Sequence, residues 1–576
     1  MKEKQKNLPL CPIEKKQNKL PLYLLCMAAG VGVFIMIYGL LPLDVTYDDW
    51  IFNGYIETDI VQRYAGWLAY RGEVSFFPLT FSRLIAFPFG DYTSLADAIP
   101  LAELFFKAVE PMLPDTFQFC GLLCCANLAL QGLCGGWLLG LFTDDSWKIF
   151  LGSMIFCFSP ILLERLFRHT SLSFHWVILL AIYLYFKGNK TGLKWSTTLS
   201  FAALAVGCVG LHMYFVPIII GFFAAYILDN FKTHNRGLWH LTALAGCVLC
   251  CLGAASVLGL LKVGTDNTSG YGTMGMNLNA LFNPVSLDSQ WWVEGKGKLD
   301  WSLLLPMRGL ANNNIESFNY LGLGVLLALA ASVVFALVAL VKNPREQQKL
   351  WKARGKRHLF LGLFLAFSTL FAVSNVVCAF SYTLFEIPLP QFVLKLANAF
   401  RASGRLFWGV NYMLVLWAVL WVSSLFKSKK QMGTLLLLAM LVVQMADLSP
   451  ALYQKHQEFK DRQEYYNRQS TAEVLDFAKG CSTVYFLEMQ EDRALCGQLL
   501  KNNLANNLWL ISRDNYNVDR QTQDQQRAKD ALLKGESPYD NAVYATRDKG
   551  TAEGIEKTGS FTFTEIDGTY FFKNKG

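Results

Sequence analysis

A handful of short stretches in this chain hold the carboxylates and guanidinium groups that could do chemistry. The first runs Asp59-Ile60-Val61-Gln62-Arg63-Tyr64-Ala65-Gly66-Trp67, preceded by Asp44, Asp48 and Asp49 and followed by Asp97-Ala98-Ile99-Pro100. A carboxylate drawn partly out of water is a stronger base, suited to taking the proton of a hydroxyl. At helical spacing Asp59, Gln62, Arg63 and Gly66 share one face, while Ile60, Tyr64 and Trp67 form an apolar stripe. That is the pattern of an amphipathic helix lying at a membrane interface. A solvated or capping role suits Asp59 as well, and a helix cap suits Asp97.

The second stretch, Glu164-Arg165-Leu166-Phe167-Arg168-His169 through His175-Trp176, puts two arginines and two histidines on one turn between apolar segments. Arginine offers a planar fork of donors and keeps its charge, so the group suits a phosphate; interface residues that snorkel would look the same. His212 and Tyr214 fall where two neighbouring apolar segments meet. Further on come Met276-Asn277-Leu278 and Glu316-Ser317-Phe318-Asn319-Tyr320-Leu321-Gly322-Leu323-Gly324. A glutamate and an asparagine one turn above a buried helix suit sugar hydroxyls, although glutamate in a first turn also simply favours the helix dipole. Last, Arg401 and Arg405 in Phe400-Arg401-Ala402-Ser403-Gly404-Arg405 stand four apart at a helix start. Cations oppose the dipole there unless an anion sits between them.

These clusters must be positioned by a chain that is 53% hydrophobic and only 17% charged, against roughly 25% charged in soluble domains. A soluble globular enzyme and a disordered chain are both excluded. Apolar runs long enough to cross hydrocarbon suggest eleven spans: 20–42, 117–142, 149–163, 173–186, 197–213, 214–229, 241–261, 319–341, 359–383, 406–426 and 431–448. Placing residues 1–19 in the cytoplasm gives the inner loops 22 Lys and Arg in 66 residues, against 12 in 160 for the outer ones. All four polar clusters then face the outside. The net charge of +8 is topological, and no basic groove with interleaved aromatics points to nucleic acid.

The expected organisation is a basic tail (1–19), an all-α polytopic membrane domain (20–448) with large outer loops at 43–116 and 264–318, and an extracytoplasmic module (449–576). In that module, runs at 483–487, 542–545 and 561–564 read as strands alternating with helices, a small α/β fold. Cys481 and Cys496 lie there, where a disulfide is chemically permitted. The Cys247–Cys250 pair has no second ligand pair, and no H-E-x-x-H occurs, so no zinc site is expected.

At the clustered residues the chain resembles a bacterial multi-pass family of otherwise uncharacterised function that belongs with the GT-C glycosyltransferases. The motifs are D-x-x-Q-x-x-x-G-W at 59–67, D-x-I-P at 97–100, R-H-x-x-L-x-x-H-W at 168–176, M-N-L at 276–278, E-x-F-x-Y-L-G-L-G at 316–324 and F-R-x-S-G-R at 400–405. The resemblance implies an inverting transferase in the bacterial cytoplasmic membrane. Its donor would be a polyprenyl-phosphate-linked sugar and its acceptor a cell-envelope glycan, polymer or lipid outside. By motif position it gives Asp59 the role of base. Ile60 follows where a second acid is familiar, which leaves Asp49 and Asp97 open as base or helper. No metal is assigned, no cofactor is certain, and a divalent cation stays open. Because fixed guanidinium groups stabilise a departing phosphate, Arg168, Arg401 and Arg405, with His169, are assigned to the donor phosphate. Gln62, Trp67, His175, His212, Asn277, Glu316, Asn319 and Tyr320 are left for sugar or acceptor. A lipid-linked-sugar flippase or other polytopic transporter is the competing expectation. Such a carrier should place charges near the middle of its spans, where this chain has almost none.

Overall fold

A computed structural model describes residues 18–53, 58–231, 237–262, 270–286, 299–311, 314, 316–425, 430–465, 468–508, 510 and 518–575. Most of the basic tail and residues 264–269 and 287–298 of the long loop lie outside the described residues.

Among the described residues seven helices are long and apolar enough to cross a membrane: Leu20–Tyr38, Cys120–Leu139, Thr170–Thr191, Gly237–Val257, Leu323–Lys342, Ser403–Ser424 and Gln431–Glu458. Four shorter apolar helices, Ser146–Cys157, Trp195–Leu211, Phe215–Asn230 and Leu359–Val373, stand among them. Several depart from the spans read in the sequence, for local reasons. The run at 149–163 breaks into Ser146–Cys157 and the single turn Pro160–Leu163, because Pro160 cannot donate to the preceding turn. The run at 359–383 ends at Val373, where Ser374 turns left-handed (φ 71°) and Val376–Ala379 pairs antiparallel with Tyr382–Glu386. The last span does not stop at residue 448 but continues to Glu458 through Pro450.

Large apolar side chains such as Leu327, Val333, Val334, Phe335 and Val341 are exposed on Leu323–Lys342, a surface that hydrocarbon tolerates and water does not. Inside, glycines let backbones approach. A Cβ on Gly132 would stand 2.3 Å from the Cys26 carbonyl oxygen, and one on Gly30 2.2 Å from that of Leu128, so Leu20–Tyr38 and Cys120–Leu139 meet closely.

After residue 468 the chain forms a five-stranded mixed sheet in the order Ala505–Asn506, Thr483–Phe486, Ala542–Thr546, Thr569–Asn574, Phe561–Ile566. The first three strands run parallel and the last two pairings are antiparallel. Thr483–Phe486 and Ala542–Thr546 are buried on both faces, as β-branched and aromatic strands in a parallel layer must be. Helices Arg468–Phe477, Arg493–Lys501, Val518–Leu532 and Lys549–Lys557 accompany the sheet. Cys481 and Cys496 are both free thiols.

The helix Thr58–Gly72 is enclosed within the protein, not half-exposed as its amphipathic pattern suggests. Every residue from Ile60 to Tyr70 is buried. One flank is covered by Arg493–Lys501, where a Cβ on Gly497 would stand 3.5 Å from that of Ala65. Another is covered by residues 93–96, where a Cβ on Gly66 would stand 3.3 Å from that of Ala96.

Candidate functional site

Asp59 opens the Thr58–Gly72 helix, and its carboxylate takes two contacts from distant parts of the chain. Oδ2 lies 3.0 Å from His169 Nε2, and Oδ1 accepts from Arg493 Nη1 at 3.0 Å. His169 Nδ1 in turn stands 3.2 Å from Arg165 Nη1. A guanidinium only donates, so Nδ1 is the acceptor, the ring proton sits on Nε2, and His169 donates it to Asp59. Arg165 Nη2 reaches Glu316 Oε2 at 2.6 Å, and the other Glu316 oxygen accepts from Arg405 Nη2. An unbroken line of hydrogen bonds therefore joins Asp59, His169, Arg165, Glu316 and Arg405.

Around this line the charges are buried and paired. Glu164 holds Arg168 Nη1 at 3.0 Å and Arg165 Nε at 3.0 Å. The Arg165 guanidinium lies 5.6 Å from the centre of the Trp408 ring, and that of Arg405 lies 4.7 Å from Tyr214. Burial pushes the Glu316 carboxyl up, but Arg165 and then Arg405 outweigh it and hold the group well below the usual carboxylate range. Burial likewise raises Asp59, and the His169 hydrogen bond, with a smaller pull from Arg493, brings it below the ordinary aspartate value. Asp59 is thus kept ionised, whereas burial alone would have made it more basic.

Asp97 forms the second centre. Arg63 grips it twice, Nη2 to Oδ2 at 2.6 Å and Nε to the backbone oxygen at 3.1 Å. Ser171 donates to Oδ1 at 2.9 Å, and His212 Nε2 approaches the same oxygen at 3.6 Å. His212 Nδ1 accepts the Tyr214 backbone N–H, which again leaves the proton on Nε2. Asp97 takes a left-handed backbone (φ 54°) and does not cap the Pro100–Ala108 helix. Beside it opens a cavity of about 320 Å³. Asp97, His212 and Tyr214 stand on its wall, and Leu211, Met213, Leu260, Leu261 and Phe400 supply much of the rest. The wall residue Tyr214 is also the ring beneath Arg405, so the cavity adjoins the hydrogen-bonded line.

Glu103 lies fully buried nearby, accepting from Thr93 Oγ1 at 3.1 Å. Burial raises its carboxyl to about 7 against the opposing pull of Thr93 and Arg63. A carboxyl raised on folding stabilises the fold below its unfolded value and loses that contribution as pH rises toward 7. Glu103→Gln is therefore expected to raise the melting temperature of the purified protein at pH 8 and to leave it nearly unchanged at pH 4.

The other residues singled out in the sequence lie elsewhere in the packing. Trp67 donates to the Phe117 carbonyl at 3.1 Å. His175 contacts Tyr412 Oη at 2.9 Å and packs on Trp408. Asn277 pairs both amide groups with the Phe380 backbone and so holds the hairpin at 376–386. Asn319 donates to the Gly404 carbonyl, and Tyr320 to Asp447 at 2.6 Å. Arg401 packs its stem against Gly270, where a Cβ would stand 2.9 Å away. Asp49 is half-buried. Burial raises it, and so does the neighbouring Asp48 charge, against the pull of Lys501. Gln62, one turn after Asp59, is fully buried, and both its amide atoms lack partners among the described residues.

Arg493 lies outside every stretch singled out in the sequence, and Arg63 and Ser171, though within those stretches, were given no role there. Only the spacing of Arg165 and His169, four apart and so on one helical face, hinted at a pair. Among the described residues no three or more His, Cys, Asp and Glu side chains gather as a group able to hold a metal ion.

Compared with solved structures, the chain is similar to the archaeal oligosaccharyltransferase AglB from Archaeoglobus fulgidus in complex with an inhibitory peptide and a dolichol-phosphate. The identity is 9%, the TM-score 0.41, and the match covers 96% of this chain and 74% of that one. It is also similar to the Archaeoglobus fulgidus oligosaccharyltransferase tethered to an acceptor peptide containing the NVT sequon, at 10% identity and a TM-score of 0.41, covering 97% and 74%. Among curated proteins none matches. Residues 27–449, nearly all of the helical part and most of the chain, match a single family, so the chain belongs to the family described as domain of unknown function DUF6311.

Proposed function

We propose that this protein is an inverting membrane glycosyltransferase that moves a sugar from a polyprenyl-phosphate donor to a hydroxyl of a cell-envelope acceptor on the extracytoplasmic side. The observation that carries this reading is the hydrogen-bonded line from Asp59 to Arg405, whose Arg405 end adjoins a largely apolar cavity through Tyr214. A base and a set of fixed cations at one site are what transfer from a lipid phosphate needs. Asp59 removes the acceptor hydroxyl proton as the new bond to the anomeric carbon forms. The bond from that carbon to the phosphate oxygen breaks with its electron pair, and the lipid phosphate leaves carrying the charge.

Guanidinium groups already held in place stabilise that charge without reorganising. Arg405 commits one nitrogen to Glu316, while its buried Nε has no hydrogen-bond partner among the described residues and is available to a phosphate oxygen. The unsatisfied amide of Gln62 fits a sugar or acceptor hydroxyl in the same way. The apolar lining of the cavity suits the first isoprene units of the donor.

The test is to incubate the purified protein, in detergent or nanodiscs, with a panel of polyprenyl-phosphate sugars and a cell-envelope extract. Release of the lipid phosphate together with a glycosylated product supports the reading. Vectorial movement of the intact lipid-linked sugar in proteoliposomes, with no bond cleavage, would replace it with a flippase.

A further inference from the structure

The helix Arg493–Lys501, which follows the first strand of the C-terminal sheet, is docked at three points against Thr58–Gly72 and the segment 48–53 before it. At its end Lys501 Nζ contacts both Asp48 oxygens, at 2.9 and 2.8 Å, and Asp48 also accepts from Tyr64 Oη at 2.9 Å. In its middle Gly497 allows close approach, since a Cβ there would stand 2.6 Å from the Phe52 ring. At its start the Asp492 side chain caps the helix by accepting from the Leu495 N–H. There Arg493 extends one nitrogen to Asp59 at 3.0 Å and another to Glu491 at 2.8 Å.

We propose that Arg493 is a positioning residue of the transfer site, so that the C-terminal part of the chain completes the site that the membrane helices begin. The proposal rests on Asp59 acting as the base. A carboxylate at the start of a helix can turn about two side-chain bonds, and His169 fixes only one of its oxygens. The second contact, made from Arg493, sets the carboxylate plane, and its charge favours the ionised form that accepts a proton. The groups facing Asp59 are His169 from the Arg168–Thr170 turn and Arg493 from the C-terminal helix, with Asp97 and, on its own helix, Arg63 further away. None of the others can take over the contact at Oδ1.

The experiment uses full-length Arg493→Gln and Arg493→Lys, with Asp59→Asn and Lys501→Met as references. Arg493→Gln is expected to lower kcat about 10- to 100-fold with little change in the donor KM, as misplacement of a reacting group does. It should also move the acidic limb of the kcat profile to higher pH, because a cation that favours the carboxylate is gone. Arg493→Lys should restore the limb and part of the rate. Lys501→Met loosens the same docking surface away from Asp59, so it should lower the melting temperature and leave the limb in place. Arg493→Gln with the wild-type limb and kcat, beside an inactive Asp59→Asn, would overturn the proposal while leaving the base assignment standing. A fully active Asp59→Asn would overturn both. If Arg493→Gln does not fold, the limb of Arg493→Lys decides: unmoved with partial rate supports positioning, and full wild-type kinetics with a lowered melting temperature reduces Arg493 to a tether.

Discussion

Purified Asp59→Asn protein is expected to keep its fold and its affinity for the lipid donor and to lose sugar transfer by about 10²- to 10⁴-fold, the range that a general base supplies. The substitution keeps the side-chain volume. Its amide oxygen can still accept from His169 Nε2, but the amide nitrogen then faces Arg493 donor to donor, so one contact is lost rather than a buried charge left alone. Stability should therefore change by less than activity does, and the two are separable in one preparation by thermal unfolding and product release. The wild-type rate should show no acidic limb from Asp59 between about pH 5 and 8, because His169 and Arg493 hold that carboxyl below its ordinary value despite its burial. A limb inside that window that survives in Arg493→Gln unchanged would point to another titrating group. Asp97 stands on the cavity wall, and its oxygens, like those of Asp59, are engaged, here by Arg63, Ser171 and His212. Asp59 keeps more of its side chain open, 29% against 14%, which is why the base role falls to it.

Much of the fold could be seen in the sequence because hydrocarbon imposes a simple rule, a run of apolar residues of fixed length. The rule says nothing about where such a run changes conformation. Val376 and Val377 are as apolar as any span residue, but they follow Ser374, which ends the helix, and their β-branched side chains suit the strand that comes next. The clusters of the site were visible as polar residues in an apolar chain. Their pairings were not, because they join residues far apart: Glu316 meets Arg165 across 151 positions and Arg405 across 89, and Arg493 meets Asp59 across 434. No periodicity reaches that distance. This also explains why Arg405 seemed to lack an anion at its helix start. Glu316, carried in on another loop, supplies one, and the same pairing keeps that glutamate occupied by two arginines. The amphipathic stripe of Thr58–Gly72 was misread for a related reason. Its flanks are covered by residues 93–97 and by a helix that lies more than 400 residues later, so a pattern that in isolation means half-exposed here means buried.

Glu316 is where the largest loss of stability is expected. Glu316→Ala should cost about 3–5 kcal/mol, the usual penalty for removing one partner of a buried ion pair. Arg165 and Arg405 both lose their shared carboxylate, and a guanidinium cannot escape by giving up its proton. Neither can swing to water easily, since Arg165 lies over Trp408 and Arg405 over Tyr214. The backbone cannot close the gap either. A Cβ on Gly404 would already stand 2.0 Å from the Glu316 carbonyl oxygen, so the two segments are in contact before any side chain is removed. Glu316→Gln should fall between wild type and alanine, because an amide oxygen can accept from one arginine while its nitrogen repels the other. Replacing Glu316→Leu together with Arg405→Met removes the guanidinium left without a carboxylate, while Arg165 keeps Glu164, and should recover most of the stability while abolishing donor binding. Chemical unfolding in mixed micelles at 0.1 and 1 M salt checks the set. The expected losses should be nearly independent of salt, because the pair is shielded from solvent ions. A loss from Glu316→Ala below about 0.5 kcal/mol, or one that vanishes at high salt, would mean that water reaches these arginines and that their fixed arrangement is not what holds the site open for a phosphate.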